Sequence, residues 1–240
     1  MRKSSEKPPC VFCSSRHQSA FCDFENLSYE ELDQKKVCYT FKKGENIFHE
    51  GGFPHGVYCV SKGKIKLYKT GIDGRDQIIR FAKSGDLIGY RALLSGEPYS
   101  SSAACLEETE VCFIPKEVIL RLLRSEATFS MVLMRRACHE LGEAARIITN
   151  MAQKSVKERV AEILLLLRQD FGTDSDNAVD VRLTRDDLAS LVGTATESLI
   201  RILSDLKAEG LIDTPGKKIV LKNIKALAQL GRVEDVVSPA

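Results

Sequence analysis

The side chains of this sequence best suited to chemistry are a cysteine cluster and a glutamate–arginine pair. The stretch CVFCSSRHQSAFC puts Cys10, Cys13 and Cys22 close together, and Glu197 and Arg201 stand four residues apart near the other end. Three cysteines with a fourth elsewhere can hold either a tetrahedral Zn²⁺ or an iron–sulfur cluster, since both take four thiolates. Spacing alone does not choose between them, and reversible thiol oxidation without a metal is a third use of the same residues. On a helix, residues four apart share one face. An arginine there can donate two hydrogen bonds to guanine O6 and N7, and a glutamate can accept from the cytosine amino group. Ile200 beside them offers only apolar contact, such as with a thymine methyl.

The 240 residues are 43% hydrophobic and 28% charged, which is ordinary for a core-forming chain. No apolar run reaches the roughly 18 residues that span a bilayer, and MRKSSEKPPC lacks a following apolar segment, so no membrane is expected and the location is read as cytoplasmic. In a reducing compartment, eight cysteines argue for metal or redox chemistry rather than a disulfide scaffold. A net charge of +2 does not identify a nucleic-acid partner, so the local arrangement must carry that inference.

Between Cys38 and about Pro115 the chain alternates in short segments punctuated by glycine. In KIKLY, Ile65 and Leu67 alternate with Lys64, Lys66 and Tyr68, the period of a half-buried strand. Gly71-Ile72-Asp73-Gly74 reads as a turn before the strand QIIRFA, and many such strands predict a sandwich or barrel. From about Lys116 to Phe171 the pattern becomes helical. Met131, Met134, Cys138, Leu141, Ala145, Ile148 and Ala152 follow the three-four rhythm of a coiled-coil seam, which fits a parallel dimer. A helix lying on its own barrel would show the same stripe.

After the acidic linker GTDSDNA, the stretch RLTRDDLASLVGTATESLIRILSDLKAEGLIDTPGKKIVLK reads as helix, tight turn, helix and hairpin, the spacing of a helix-turn-helix. Thr184 with Asp187, and Thr194 with Glu197, are placed as N-cap and N3 residues. Thr194, Thr196 and Ser198 at the second helix start would bond phosphate, helped by free N–H groups and the helix dipole. Lys217 and Lys218 at the hairpin tip would add salt-sensitive backbone contacts.

The order of these motifs resembles the CRP/FNR superfamily of bacterial transcription regulators. The resemblance rests on GENIFHEGG, VYCVSKGKIKLY, DGRDQI and GDLIG in the barrel, KERVAEILLLL after the long helix, and LTRDDLASLVGTATESLIRILSDL in the reader. It implies an α+β chain: a cysteine-containing segment over residues 1–27, a double-stranded β-roll like a cyclic-nucleotide-binding domain over 28–115, a long dimerisation helix region over 116–153, and a winged helix-turn-helix over 154–240. Met134, Cys138, Leu141, Ala145, Ile148 and Ala152 would form the dimer seam. The implied partners are a palindromic double-stranded DNA site, a second copy of the chain and RNA polymerase. The family's reader helix carries Glu-x-x-x-Arg, which falls on Glu197 and Arg201, with Ile200 where relatives carry serine or glycine.

Nucleotide-binding members carry Gly-Glu-Leu on the ribose and phosphate and then Arg-Ser on the cyclic phosphate. Here Gly89-Tyr90-Arg91-Ala92 and Pro98-Tyr99-Ser100-Ser101-Ser102-Ala103 stand instead, so cAMP is not the expected ligand. The resemblance is strongest to FNR-type oxygen sensors, which carry an N-terminal Cys-x2-Cys and a third cysteine shortly after. The spacing from Cys13 to Cys22 is one residue longer than in that pattern, and Arg16-His17 inside it looks similar. Their fourth ligand lies just before an Ile-Pro pair, the place of Cys112 in VCFIP. Alternation turns Cys112 out of the roll with Glu110 if Val111 and Phe113 face the core. Cys105 is the alternative fourth ligand and Cys38 a poorer one, while Cys59 and Cys138 read as packing residues.

The resemblance thus implies a [4Fe–4S] cluster on Cys10, Cys13, Cys22 and Cys112, with zinc or a metal-free thiol sensor as alternatives, and oxygen or nitric oxide as signal. Where such sensors tend to place an acidic side chain on the long helix, Arg146 stands here, so monomerisation and reorientation of a standing dimer are both compatible. A regulator of the same architecture that senses a small ligand, haem or thiol oxidation is the second reading. Catalysis is not expected: His-Glu-x-x-His, a Walker loop and a nucleophile elbow are all missing, and His49, His55 and His139 read as surface or packing residues.

Overall fold

The computed structural model describes residues 2–3, 9–22 and 26–233. Contacts divide the chain into two compact units, Met1–Gly142 and Glu143–Ala240.

The first unit is built on two antiparallel sheets. Strands β1 (Arg2–Lys3), β2 (Val37–Phe41), β4 (Gly56–Lys62), β7 (Leu87–Ile88) and β9 (Thr109–Pro115) form one, in the order β1-β2-β9-β4-β7. Strands β3 (Asn46–Phe48), β5 (Lys64–Thr70), β6 (Asp76–Lys83) and β8 (Ser102–Cys105) form the other, in the order β3-β8-β5-β6. Alternation works as the sequence requires: Ile65 and Leu67 are buried while Lys64, Lys66 and Tyr68 are partly exposed. Phe41, Val60, Ile65, Leu67, Ile88, Ala103 and Val111 meet between the sheets as the roll's core.

The five-stranded sheet buries its outer face as well. Val57, Leu87 and Ile114 point away from the roll's interior, into a second core with Leu32 of helix α1 (Asn26–Lys35), Tyr90 and Leu93 of α2 (Tyr90–Ser95) and Val118, Ile119 and Leu122 of α3 (Lys116–Ser125). Phe129 and Leu133 of the long helix α4 (Ala127–Gln153) complete it. The helical region is therefore not continuous. Its apolar rhythm runs through residue 126, yet Glu126 takes an extended conformation that ends α3 and lets α4 start afresh.

In the second unit, α5 (Val156–Phe171) starts in a Ser155/Glu158 capping box, and α6 (Arg185–Val192) starts in the Thr184/Asp187 box expected from its sequence. Each such cap contributes about 1 kcal/mol. Gly193 closes α6 in the left-handed conformation (φ 72), where a side chain would be strained. Helix α7 (Thr196–Ala208) follows, then the two-stranded wing of β10 (Ile212–Asp213) and β11 (Val220–Leu221), and α8 (Ile224–Gly231). Buried Leu188, Ala189 and Val192 on α6, with Leu199, Leu203 and Leu206 on α7, make the apolar stripes on which the two helices pack.

The start of α7 corrects the sequence reading. Thr194 is not its N-cap; Ala195 holds that position without a side-chain cap bond. The Gly193 and Thr194 N–H groups both donate to the Ala189 carbonyl, so Thr194 is committed to closing α6. The first α7 bond runs from Leu199 N–H to Ala195 O.

Candidate sensor site and nucleic-acid interface

Cysteines accumulate on the outer face of the five-stranded sheet. The register pairs Cys38 of β2 with Cys112 of β9, and Cys112 with Cys59 of β4, so three thiols form a row across adjacent strands. Directly opposed residues share a face. The Cys112 thiol is held well above its ordinary pKa, first by its hydrogen bond with the Cys38 thiol and then by burial. Cys105 stands elsewhere: it belongs to the other sheet and is buried in the roll's core.

The N-terminal segment lies over the same outer core. Cys10 opens a 3-10 turn (Cys10–Phe12) and packs with Cys59 against that core. Burial pushes the Cys59 thiol up to about 12, with smaller contributions from nearby Cys13 and Cys10. Lys36, whose side chain is only 2% exposed, donates to Asp33 Oδ1 (2.6 Å) and to Cys10 Sγ (3.1 Å). The Cys10 N–H also donates to Asp33 Oδ1 (2.8 Å), so one buried ion pair fixes the backbone and thiol of Cys10. Burial nonetheless raises the Cys10 thiol to about 11, and Lys36 only partly offsets it. Cys13 Sγ lies 3.1 Å from the buried Ser15 hydroxyl. Cys22 is half-buried at the far end of the loop, its N–H donating to Ser19 O.

That loop is fastened to the long helix. Phe21, next to Cys22, is buried and stacks on Phe129 of α4, with ring centroids 5.3 Å apart and planes 19° from parallel. Arg136 of α4 donates to the Gln18 carbonyl (3.0 Å) and lies 3.6 Å from Asp86. Gly85 sits under Gln18 at φ +92, where a Cβ would stand 2.8 Å from Gln18 Cβ, so the loop rests on bare backbone. Spacing could not reveal this: the signals were one phenylalanine beside a cysteine and one arginine on a helix.

The thiols present suit a thiolate-bound group in donor chemistry. They come from a loop and a strand face that share one core, and a buried ammonium stands beside them to offset negative charge. Among the described residues, no three cysteine, histidine or carboxylate side chains converge at metal-ligand distances.

Tyr90, Arg80 and Arg91 converge on one carboxylate of the long helix. Tyr90, in the position of the glutamate of nucleotide-binding members, is buried, and its hydroxyl donates to Glu140 of α4 (2.9 Å). Arg80 and Arg91 reach the same carboxylate (3.3 and 3.4 Å). Arg91 is therefore tied to a protein carboxylate.

On α7, Glu197, Ile200 and Arg201 are exposed, Ile200 by 51%, while Leu199 and Leu203 face the unit's core. Glu197 and Arg201 make no ion pair with each other among the described residues. Thr196 donates its hydroxyl to Asp186 (2.8 Å), which ties α7 to α6, and Ser198 and Thr194 are half-exposed. In the wing, Lys217 is exposed, whereas Lys218 bridges Asp174 (2.7 Å) and Asp176 (2.5 Å) of the acidic linker. Arg159 of α5 braces the turn by donating to Val192 O (3.0 Å), Gly193 O (3.3 Å) and Lys154 O (2.9 Å).

A β-roll, a long helix with an exposed apolar stripe and a winged helix-turn-helix define a DNA-binding transcription regulator. The comparisons agree. Residues 39–126 match the cyclic nucleotide-binding domain family, and residues 158–230 the Crp-like helix-turn-helix domain. The fumarate and nitrate reduction regulatory protein of Escherichia coli K12 is 30% identical over 226 residues, covering 92% of this chain and 90% of that protein. Electron transport regulator A of Shewanella oneidensis is 28% identical over the same shares. FixK2 from Bradyrhizobium japonicum superposes with a TM-score of 0.72 at 25% identity, covering 85% of this chain and 99% of that one. The chain belongs to the CRP/FNR family of transcription regulators, and that family consists of regulators, not enzymes. Among the described residues, no helix is long and apolar enough to cross a membrane.

Arg201→Ala is expected to weaken binding to the specific site by about 1–3 kcal/mol and to relax discrimination at one base pair. Fluorescence anisotropy on a panel of single-base variants of the site checks it. Equal losses on every duplex, including unrelated DNA, would show that Arg201 does not read a base.

Proposed function

We propose that this regulator senses oxygen, or nitric oxide, through a [4Fe–4S] cluster held by Cys10, Cys13, Cys22 and Cys112, and binds an inverted-repeat site as a homodimer that engages RNA polymerase. The observation that carries the reading is the seat of the cysteine loop. Phe21 inserts it into the core shared by Cys59 and the base of α4, and Arg136 ties its backbone to the same helix.

Once bound, such a cluster supplies oxygen-labile iron–thiolate chemistry. The chain's own residues account for the rest. Lys36 holds Cys10 in place and puts a positive charge beside the thiols. Cys59 is half-buried against the outer core, while Phe21 and Arg136 pass any displacement of the loop to α4. A signal needs only to favour one arrangement of that helix over another to alter DNA affinity. Across α4, Met134, Cys138, Leu141, Ala145, Ile148 and Ala152 are all exposed in the single chain, at the spacing that a second copy would cover. Glu197 and Arg201 would read bases, Ile200 would touch a thymine methyl, and Thr194, Thr196, Ser198, Lys217 and Lys218 would position the unit on phosphates. For Lys218 this requires releasing Asp174 and Asp176.

Anaerobic purification with an absorption spectrum and iron and sulfide analysis tests the reading. A brown protein that bleaches in air and loses DNA affinity is expected, with Cys112→Ser giving a colourless protein of unchanged fold. A colourless wild-type protein carrying one zinc, or DNA binding indifferent to air, would sink the cluster.

A further inference from the structure

Cys38 is the most deeply placed member of the cysteine row and has no part in the proposed ligand set, yet it stands directly opposite Cys112. We propose that Cys38 and Cys112 form a cross-strand dithiol that closes to a disulfide when Cys112 is not otherwise engaged, a redox site separate from the N-terminal cysteines.

The geometry is that of two directly opposed residues in an antiparallel pair. Such residues have Cα atoms about 4.5–5.5 Å apart, inside the span of about 4.4–6.8 Å that a disulfide bridges. The register alone makes the two residues cross-strand neighbours before any oxidation. Pairing within one sheet needs no movement of the strands. Cys59 opposes Cys112 from the other side, so mapping which peptide is bonded to that of Cys112 discriminates the two partners.

A hydroperoxide is the class of oxidant that the chemistry needs. The Cys112 sulfur, partly exposed where Cys38 is buried, attacks the peroxide, whose O–O bond breaks to leave a sulfenic acid and one water. The Cys38 sulfur then displaces the hydroxyl from that sulfenic acid as a second water, and the S–S bond forms. Two thiols give up two electrons and two protons, and one hydrogen peroxide becomes two waters. Cys38 is buried and Cys112 only partly exposed, so access of the oxidant is limited and closure is slow, a stored oxidation state rather than a fast peroxide sensor. The pair stands whether or not the protein binds a cluster. Only one consequence rests on the cluster reading: a closed Cys38–Cys112 bond withholds the fourth ligand until it is reduced.

The test uses full-length, metal-free protein treated with hydrogen peroxide, alkylated and mapped by mass spectrometry without reduction. The expected product joins the peptide of Cys38 to that of Cys112, and Cys38→Ser leaves Cys112 alkylatable under the same treatment. Cys112 joined instead to Cys59 or to an N-terminal cysteine, or Cys38 still fully alkylatable in the wild type, would overturn the proposal. Iron and sulfide reconstitution of the oxidised protein separates the two readings. If the bond is mapped but neither reduced nor oxidised protein ever takes up iron, the cluster fails and the dithiol stands.

Discussion

Replacing Glu162 by alanine is expected to destabilise the C-terminal unit by about 3 kcal/mol or more, the low end of the cost of stranding buried charge partners. Glu162 lies on α5 with its side chain only 7% exposed and accepts from three groups at the end of the long helix. Arg146 donates from 2.5 Å, Asn150 from 2.8 and 2.9 Å, and Lys154 from 3.0 Å. Lys154 also donates to the Gly231 carbonyl (2.7 Å), and the Gly231 backbone packs so closely on α5 that a Cβ would stand 2.9 Å from the Glu162 nitrogen. One carboxylate therefore joins the last turns of α4, helix α5 and the end of α8. Alanine leaves Arg146 with Glu143, at the surface, but removes the counter-charge of Lys154, which keeps only the Gly231 carbonyl, and strands Asn150. Glu162→Gln preserves the shape and part of the hydrogen bonding, and should lose less. Urea unfolding followed by circular dichroism measures both; a loss below about 1 kcal/mol for alanine would mean that the cluster of charges is worth no more than a surface pair.

This network also changes what Arg146 does. Its place on the long helix invites comparison with an acidic residue that acts across a dimer interface, but its guanidinium is occupied within the chain by Glu143 and Glu162. Those carboxylates raise its pKa further, Glu143 foremost, so it is a fixed charge. Interface repulsion at this position is not a device that Arg146 supplies.

How far the sequence could be read depended on the range of the interactions. Period-2 alternation over Lys64–Tyr68 and the Thr184/Asp187 capping box are local, and each is formed by the residues that signalled it. The start of α7 is also local, yet the sequence places it one residue early, because a threonine's side chain does not disclose that its own N–H is needed to close the previous helix. The cysteine row was illegible for a different reason. Cys38, Cys59 and Cys112 are far apart in the chain, and only the register of three strands puts them side by side. A one-residue slip in either pairing would have turned a neighbouring thiol to the other face. Likewise, the attraction of Lys218 for Asp174 and Asp176 joins a wing to a linker that no spacing rule connects.

Leu141→Glu is expected to raise the dimer dissociation constant by about a hundredfold to ten-thousandfold. Helix α4 has one apolar face that lies on the roll and a separate apolar stripe left exposed, the stripe that the sequence offers as a dimer seam. Phe129 and Leu133 are buried in the roll's outer core, and Arg136 and Glu140 bond to the same unit. Leu141 and Ile148, by contrast, are 72% and 69% exposed, with Met134 beside them on the same side of the heptad. Burying one leucine contributes about 1.5–3 kcal/mol, and a symmetric seam buries it twice, for about 3–6 kcal/mol, before two facing glutamates add their repulsion. At about 1.4 kcal/mol per tenfold, that gives the stated range. Sedimentation equilibrium on wild type and variant reads it directly. Cys138 supplies a check in the same register: it is exposed on this stripe, where a parallel dimer would set it against its own counterpart. Mild diamide treatment should therefore yield a covalent dimer that Cys138→Ser abolishes. An unshifted dissociation constant for Leu141→Glu, with no Cys138 cross-link, would place the dimer contact off this stripe.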